Sequence, residues 1–256
     1  MVVRKARASG DFYYSTCRAE AGTDCGLALL LKSGQAWLVL FEQIREIHDP
    51  EPHDAPLNMA IDEVLLQRAT MPTLRVYRWR EPALSLGYFS HFADAERAAA
   101  GRAMVRRWTG GGLVEHGEDI TYTLIVPRDV AFFQHAPLES YRLIHETIAE
   151  WLQRSGISGR VAPSSAEEHS GACFAAHVRY DIVDGNAKLA GAAQRRTRWG
   201  LLHQGSILLP GRMTGGDLAE MFSTNIERTS LAPSIVQSAH QIAGQKYATS
   251  EWLRKF

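Results

Sequence analysis

Apolar and polar positions alternate over short runs through most of the chain, and two segments follow helical spacing instead. In "NMAIDEVLLQRA", Met59, Ile61, Val64, Leu65 and Leu66 recur near a 3.6-residue period and Asn58 stands at an N-cap position, which predicts a core helix. Pro137 opens "PLESYRLIHETIAEWLQRSG", a long amphipathic helix closed by Gly156. Strands are predicted over Leu74–Trp79 and Ala83–Phe89, with a turn at Glu81 and Pro82, and over "AMVRRW" and "DITYTLIVP". "VRYDIVDGNAKLAGAAQRRTRWGLLHQGSILLP" reads as three more strands. One ends at the Asp184-Gly185 turn, one carries Lys188 to Arg196, and one runs from Leu201 to Leu209. "GDLAEMF" and "YATSEWLRKF" read as brief helices, and "VAPSSAEEHSGACFAAH" as a long irregular loop.

Strands that follow one another, with helices not strictly alternating between them, favour an α+β fold: a mixed, largely antiparallel sheet flanked by helices. Residues 1–36 have mixed polarity and their apolar run is broken by Lys32 and Gly34. That run is too short for a membrane span and has no export-type cleavage pattern, so the segment is expected to be a poorly structured leader to a domain at 37–256.

Composition narrows the function. At 256 residues and 45% hydrophobic the chain is ordinary globular protein, and 28 basic residues balance 28 acidic ones. No net field argues for nucleic acid or an acidic membrane, so an acidic partner has to be met by a local patch. Arg195, Arg196 and Arg198 are the candidate patch. Cys17, Cys25 and Cys173 form neither metal-type nor disulfide-type spacing, which suits a reducing cytoplasm and no metal centre.

The densest chemistry lies in "MVRRWTGGGLVEHGEDITYTL". Three adjacent glycines let backbone turn at positive φ and approach a ligand without an intervening Cβ. The pattern fits neither G-x-G-x-x-G nor G-x-x-x-x-G-K-[ST] and leads into a strand, so it is no dinucleotide or P-loop cradle. Arg106 and Arg107 adjoin in a strand, so at most one of them faces a site.

Together, "RRWTGGGLVEH" with Asp119 and "TYTL", the "NMAIDEVLL" helix, "EPALSLGYF", and "KLAGAAQRRTRWGLLHQGSILL" resemble the lipoate-protein ligase, octanoyltransferase and biotin-ligase superfamily, over about Phe41 to Phe222. Biotin ligases carry a G-R-G-R-type loop that is absent here. The resemblance implies the biotin/lipoate ligase-like catalytic fold and a choice between two chemistries. Ligases activate a free acid with ATP and Mg; octanoyltransferases take an acyl group from acyl carrier protein through a cysteine. "GACFAAHVRYDIV" resembles the cysteine loop of the octanoyltransferases related to ligases, which implies Cys173 as nucleophile and Lys188 as its catalytic partner, with no cofactor required.

The chemistry is coherent in itself. A thioester is already activated, and a thiolate exchanges it without a nucleotide. An ammonium beside the thiol raises the thiolate fraction and donates to the oxyanion. Arg107, Thr109, Gly110, Gly111, Gly112, Gly191, Ala192 and Gly205 are the expected substrate-binding residues; His116 and His203 either line the site or satisfy polar loops. His169 and His177 flank the cysteine loop without a motif behind them. The expected activity is transfer of an octanoyl or lipoyl-type group from acyl carrier protein to a lysine of a lipoyl domain or glycine-cleavage H-type protein, with no nucleic-acid or membrane partner. The alternatives are an ATP-dependent lipoate-protein ligase, for whose accessory domain the stretch after the motifs leaves little room, and a noncatalytic binder of lipoyl domains or carrier proteins.

Overall fold

A computed structural model describes residues 2–7, 13–18, 24–32, 35–165, 177–208, 215 and 217–256, with side chains from residue 39 onward. Strands β1 (Val2–Arg7), β2 (Tyr13–Arg18), β3 (Asp24–Lys32) and β4 (Gln35–Val39) pair as an antiparallel meander. The stretch expected to be a poorly structured leader thus contributes paired backbone, and the interrupting Lys32 is the last residue of β3.

After β5 (Ile44–His48) comes α1 (Ala55–Arg68). Its N-cap is Asp54, whose carboxylate accepts from the Leu57 N–H at 2.9 Å, with proline in the first turn. Asn58, expected as the cap, lies one turn inside, where its amide donates to the carbonyls of His53 and Arg78. Strands β6 (Thr73–Tyr77) and β7 (Ala83–Leu86) follow, then α2 (Phe92–Ala99), β8 (Ala103–Arg106), β9 (Leu113–His116) and β10 (Ile120–Pro127). The long helix is α3 (Pro137–Arg154). Beyond β11 (Arg160–Val161), strands β12 (Ile182–Asp184), β13 (Ala187–Arg196) and β14 (Gly200–Ile207) match the three expected from the pattern. The C-terminal part holds α4 (Ala219–Phe222), β15 (Ile226–Ser230), α5 (Pro233–Ile242), a π-helical turn (Ala243–Tyr247) and α6 (Ser250–Leu253).

The main sheet has the order β11-β12-β13-β14-β10-β6-β5-β15, antiparallel from β11 to β6 and parallel from β6 to β15. A third, small sheet, β8-β7-β9, is built around the glycine loop. Period-two alternation splits the core between the faces of the main sheet. Tyr122, Leu124 and Val126 of β10 join Ile144, Ile148 and Trp151 of α3 on one face, while Ile125 joins Ile61 and Val64 of α1 and Ala239 of α5 on the other. Among the described residues no helix is long and apolar enough to cross a membrane.

Candidate active site

A cavity of about 410 Å³ opens on the α1 face of the sheet, between β13, β14 and the small sheet. Met59, Tyr77, Trp79 and Leu113 give it apolar walls, and Lys188 and Asp181 line it together.

The glycine loop forms one wall because the buried Arg107 holds its backbone, while the buried Arg106 holds the neighbouring segment after β7. Arg107 donates to the Ser85 carbonyl and hydroxyl and to the carbonyls of Gly110 and Gly112, at 2.8–2.9 Å. Burial pushes its guanidinium down to about 10. Arg106, one residue out of phase, points away and donates to the carbonyls of Gly87, Tyr88, Ser90 and Leu253. Only Arg107 lines the cavity, as strand alternation requires. Gly111 has φ +83°, a conformation that favours glycine. Close approach makes a further glycine essential: a Cβ on Gly87 would lie 1.9 Å from the Gly111 carbonyl oxygen.

The other expected residues divide by the face they occupy. Gly111, Gly112, His116, Gly191, Ala192 and Gly205 line the cavity; Thr109, Gly110 and His203 are not among its lining residues. Thr109 is buried behind the loop and donates to Gln204 Oε1 at 2.8 Å, while Gln204 Nε2 donates to Asp62. In β14, Gln204 and Ser206 point into the cavity face, so His203 points to the opposite one. There it contacts the Tyr122 hydroxyl through Nε2 and accepts from Gln194 through Nδ1. Burial pushes its pKa well below the usual value. Gly205 leaves room for Tyr122, whose ring would lie 2.3 Å from a Cβ there.

His116 is tied between Asp119, 2.9 Å from Nδ1, and the Ser85 hydroxyl, 2.8 Å from Nε2. It stacks on Trp79 with ring centroids 4.1 Å apart. Burial lowers its pKa, against the pull of Asp119, so the neutral ring accepts from Ser85. The order Ser, His, Asp is that of a nucleophile relay, but Ser85 is 0% exposed and its oxygen also accepts from Arg107, so the arrangement braces the wall.

At the hairpin, Lys188 Nζ lies 2.8 Å from Asp181 Oδ2. Asp181 also accepts from the Tyr141 hydroxyl at 2.5 Å and from the Val178 N–H at 2.8 Å. The lysine can fold back because residue 191 is glycine: a Cβ there would lie 2.5 Å from Lys188 Cε and 2.6 Å from Nζ. Cys173 and His169 lie outside the described residues. The stems flanking that segment are bonded together, Arg179 N–H to Ser165 Oγ at 3.0 Å and Tyr180 N–H to the Ala162 carbonyl at 2.8 Å. Val178 lines the cavity. Sequence reasoning missed Asp181, just before β12, Tyr141 of α3 and Ser85 of β7, none of which carries a motif signal. The three-arginine patch is divided: Arg196 is committed to the carbonyls of Phe133 and His135 and the half-buried Arg195 to the carbonyl of Trp108, so of the three only Arg198 is exposed.

The chain is similar to known proteins in both sequence and fold. The lipoyl protein ligase A/B catalytic domain family matches residues 54–245. Octanoyltransferase LipM of Clostridioides difficile is 37% identical over 179 residues, 65% of this chain and 66% of that protein. The protein of the same name from Kyrpidia tusciae is 36% identical over 170 residues, 60% of this chain and 62% of that one. The chain therefore matches less than two thirds of the length of either relative. Among solved structures, a putative lipoate protein ligase from T. acidophilum with bound lipoic acid has a TM-score of 0.68 at 19% identity, covering 84% of this chain and 99% of that one, a likeness of fold. With the family matched across α1, the glycine loop and the lysine hairpin, the chain belongs to the lipoyl protein ligase A/B catalytic domain family.

Proposed function

We propose that residues 37–256 catalyse acyl transfer in protein lipoylation, moving an octanoyl or closely related medium-chain group from acyl carrier protein, through Cys173, to a lysine of a lipoyl domain or glycine-cleavage H-type protein in the cytoplasm. The observation that supports this most is the placement of the Lys188 ammonium in the wall of an apolar-sided cavity that Val178, five residues beyond Cys173, also lines. The two curated relatives carry the name of that activity.

In the proposed reaction the Cys173 thiolate adds to the thioester carbonyl. The carbon–sulfur bond to the carrier then breaks, and the carrier leaves as a thiolate that takes up a proton. The acceptor amine attacks the acyl-enzyme, loses a proton, and expels the Cys173 thiolate. Lys188 favours the thiolate and donates to the oxyanion in each half-reaction. Arg107 and residues 109–112 hold the wall against which the thioester lies, and the surfaces of Met59, Tyr77 and Trp79 take the alkyl chain. The thioester is already activated, so no nucleotide is consumed.

The test is transfer to a lipoyl domain from octanoyl carrier protein and from free octanoate, each with and without ATP. Product from the thioester without ATP supports the proposal. Product only from free acid with ATP assigns a ligase, and none under any condition assigns a binder.

A further inference from the structure

Asp181 is a buried carboxylate whose surroundings are arranged unequally. Oδ2 takes two donors, the Lys188 ammonium and the Val178 N–H, both at 2.8 Å. Oδ1 takes the Tyr141 hydroxyl, at 2.5 Å. That hydroxyl accepts in turn from the Ala192 N–H at 3.1 Å, so the phenol of α3 is joined to the strand that carries the lysine. Its ring is gripped by two histidines, His145 at 4.1 Å between centroids and His203 at 5.7 Å.

Each of these contacts limits a degree of freedom of the lysine. A lysine has four rotatable side-chain bonds and a point charge without directional preference, so it goes where its counter-ion goes. The counter-ion here rotates about its own terminal bond unless both oxygens are held. Val178 fixes one and Tyr141 the other.

We propose that Tyr141 is a positioning residue for Lys188, acting through Asp181: it fixes the carboxylate plane so that the ammonium is retained at the cavity wall and its remaining protons face the reacting carbonyl. This rests on the acyl-transfer reading. Burial and the neighbouring Asp181 carboxylate hold the phenol protonated well above the usual tyrosine range, so it remains a donor throughout the working range of the reaction. The half-buried Tyr141 and the buried His145 have a use here beyond packing. They tie the helix on the far face of the sheet to the charge in the cavity.

The test uses the full chain in single-turnover and steady-state transfer from octanoyl carrier protein. Tyr141→Phe keeps the ring against His145 and His203 and removes only the hydroxyl. Its kcat is expected to fall by roughly ten-fold or more, the rate equivalent of one hydrogen bond to a charged group, with KM for the donor within about two-fold and melting showing a folded protein. Asp181→Asn alone is expected to cost at least as much. Because Tyr141 acts through Asp181, adding Tyr141→Phe to Asp181→Asn is expected to cost little more. A purely structural tyrosine gives losses that add in the double variant, and that result overturns the inference. So does a Tyr141→Phe enzyme with the parent kcat while the parent is active. A parent that forms no transfer product overturns the underlying reading instead.

Discussion

Lys188 and Asp181 form a salt bridge with its two ends in different surroundings: the carboxylate side chain is 0% exposed and the lysine side chain 26%, with 2.8 Å between them. The pair joins residues seven apart in sequence across the β12–β13 hairpin, which carries a register irregularity between Ile182 and Val183. The charge is therefore held by the fold and presented to the cavity. Gly191 makes this possible, since a methyl group on it collides with both Cε and Nζ of the lysine. Gly191→Ala should therefore displace the ammonium and imitate Lys188→Met. Both should slow acylation and deacylation by ~10²–10³, the usual cost of an oxyanion donor. Single-turnover rates on protein shown to be folded check this, and a Gly191→Ala enzyme with parental rates would mean that the lysine works from another position.

The three adjacent glycines are not equivalent. A Cβ at Gly110 or Gly112 meets nothing within 4 Å, whereas Gly111 combines φ +83° with a contact of 3.1 Å to the Arg107 guanidinium. Gly110→Ala should leave stability and transfer nearly unchanged. Gly111→Val should cost about 1–2 kcal/mol from the left-handed backbone alone and abolish transfer by pushing on Arg107. Gly87→Ala, outside the motif, should be worse for folding because it meets backbone rather than a flexible side chain. Thermal melts and steady-state kinetics of the three variants check the ranking.

Stability should fall with acid over a defined range. Burial pushes His145 down to about 4, drives His203 well below 6.5, and lowers His116 despite the opposing pull of Asp119. Below pH 6.5 the unfolded chain takes up protons that the folded histidines refuse, so this stability is complete above that pH and is lost as pH falls. Each histidine contributes a slope of about 1.4 kcal/mol per pH unit, until its folded pKa is reached. For Asp119, burial opposes ionisation, but bonds from His116, Ser206 and Thr121 outweigh it, so protonating this acid adds a further loss below pH 3.8. Urea unfolding between pH 7.5 and 4.5 should show the decline, with a shallower slope in His145→Gln. No pH dependence over that interval would contradict neutral burial of these rings.

Donor encounter should depend on the arginines beside the lysine strand, chiefly the exposed Arg198. Arg195 lies 5.0 Å over the Tyr88 ring and 4.7 Å over Trp108, and Arg198 lies 4.4 Å over Trp199. An acidic, phosphate-bearing carrier should be steered by them through a screened attraction. Arg198→Glu should weaken apparent donor affinity at low salt and converge with the parent at high salt. Arg196→Ala should chiefly lower the melting temperature, because that side chain braces the turn at Phe133 and His135.

The parts of this fold legible in sequence are those where local pattern and tertiary environment agree: α1, α3, the glycine loop and the β12–β14 strands. The N-cap of α1 was misplaced because Asn58 has the chemistry of a cap, while its actual bonds run to the His53 and Arg78 carbonyls. Strands β5 and β15 went unread because each is short and they pair in parallel across most of the chain. Among site residues, Lys188 and the glycines stood in recognisable runs. Asp181 did not: a buried acid in "RYDIV" looks like a surface strand residue until Tyr141, 40 positions earlier, arrives on a helix to meet it. His203 illustrates the converse, a conspicuous residue turned from the cavity by one step of strand alternation.

The acyl relay itself is tested most directly by mass spectrometry of the chain after brief exposure to an octanoyl thioester without ATP, followed by addition of a lipoyl domain. The account predicts one octanoyl adduct, on the peptide containing Cys173, which disappears as the same mass appears on one lysine of the acceptor. Transfer at the parental rate by Cys173→Ser, or an acceptor acylated without any adduct on Cys173, would contradict it.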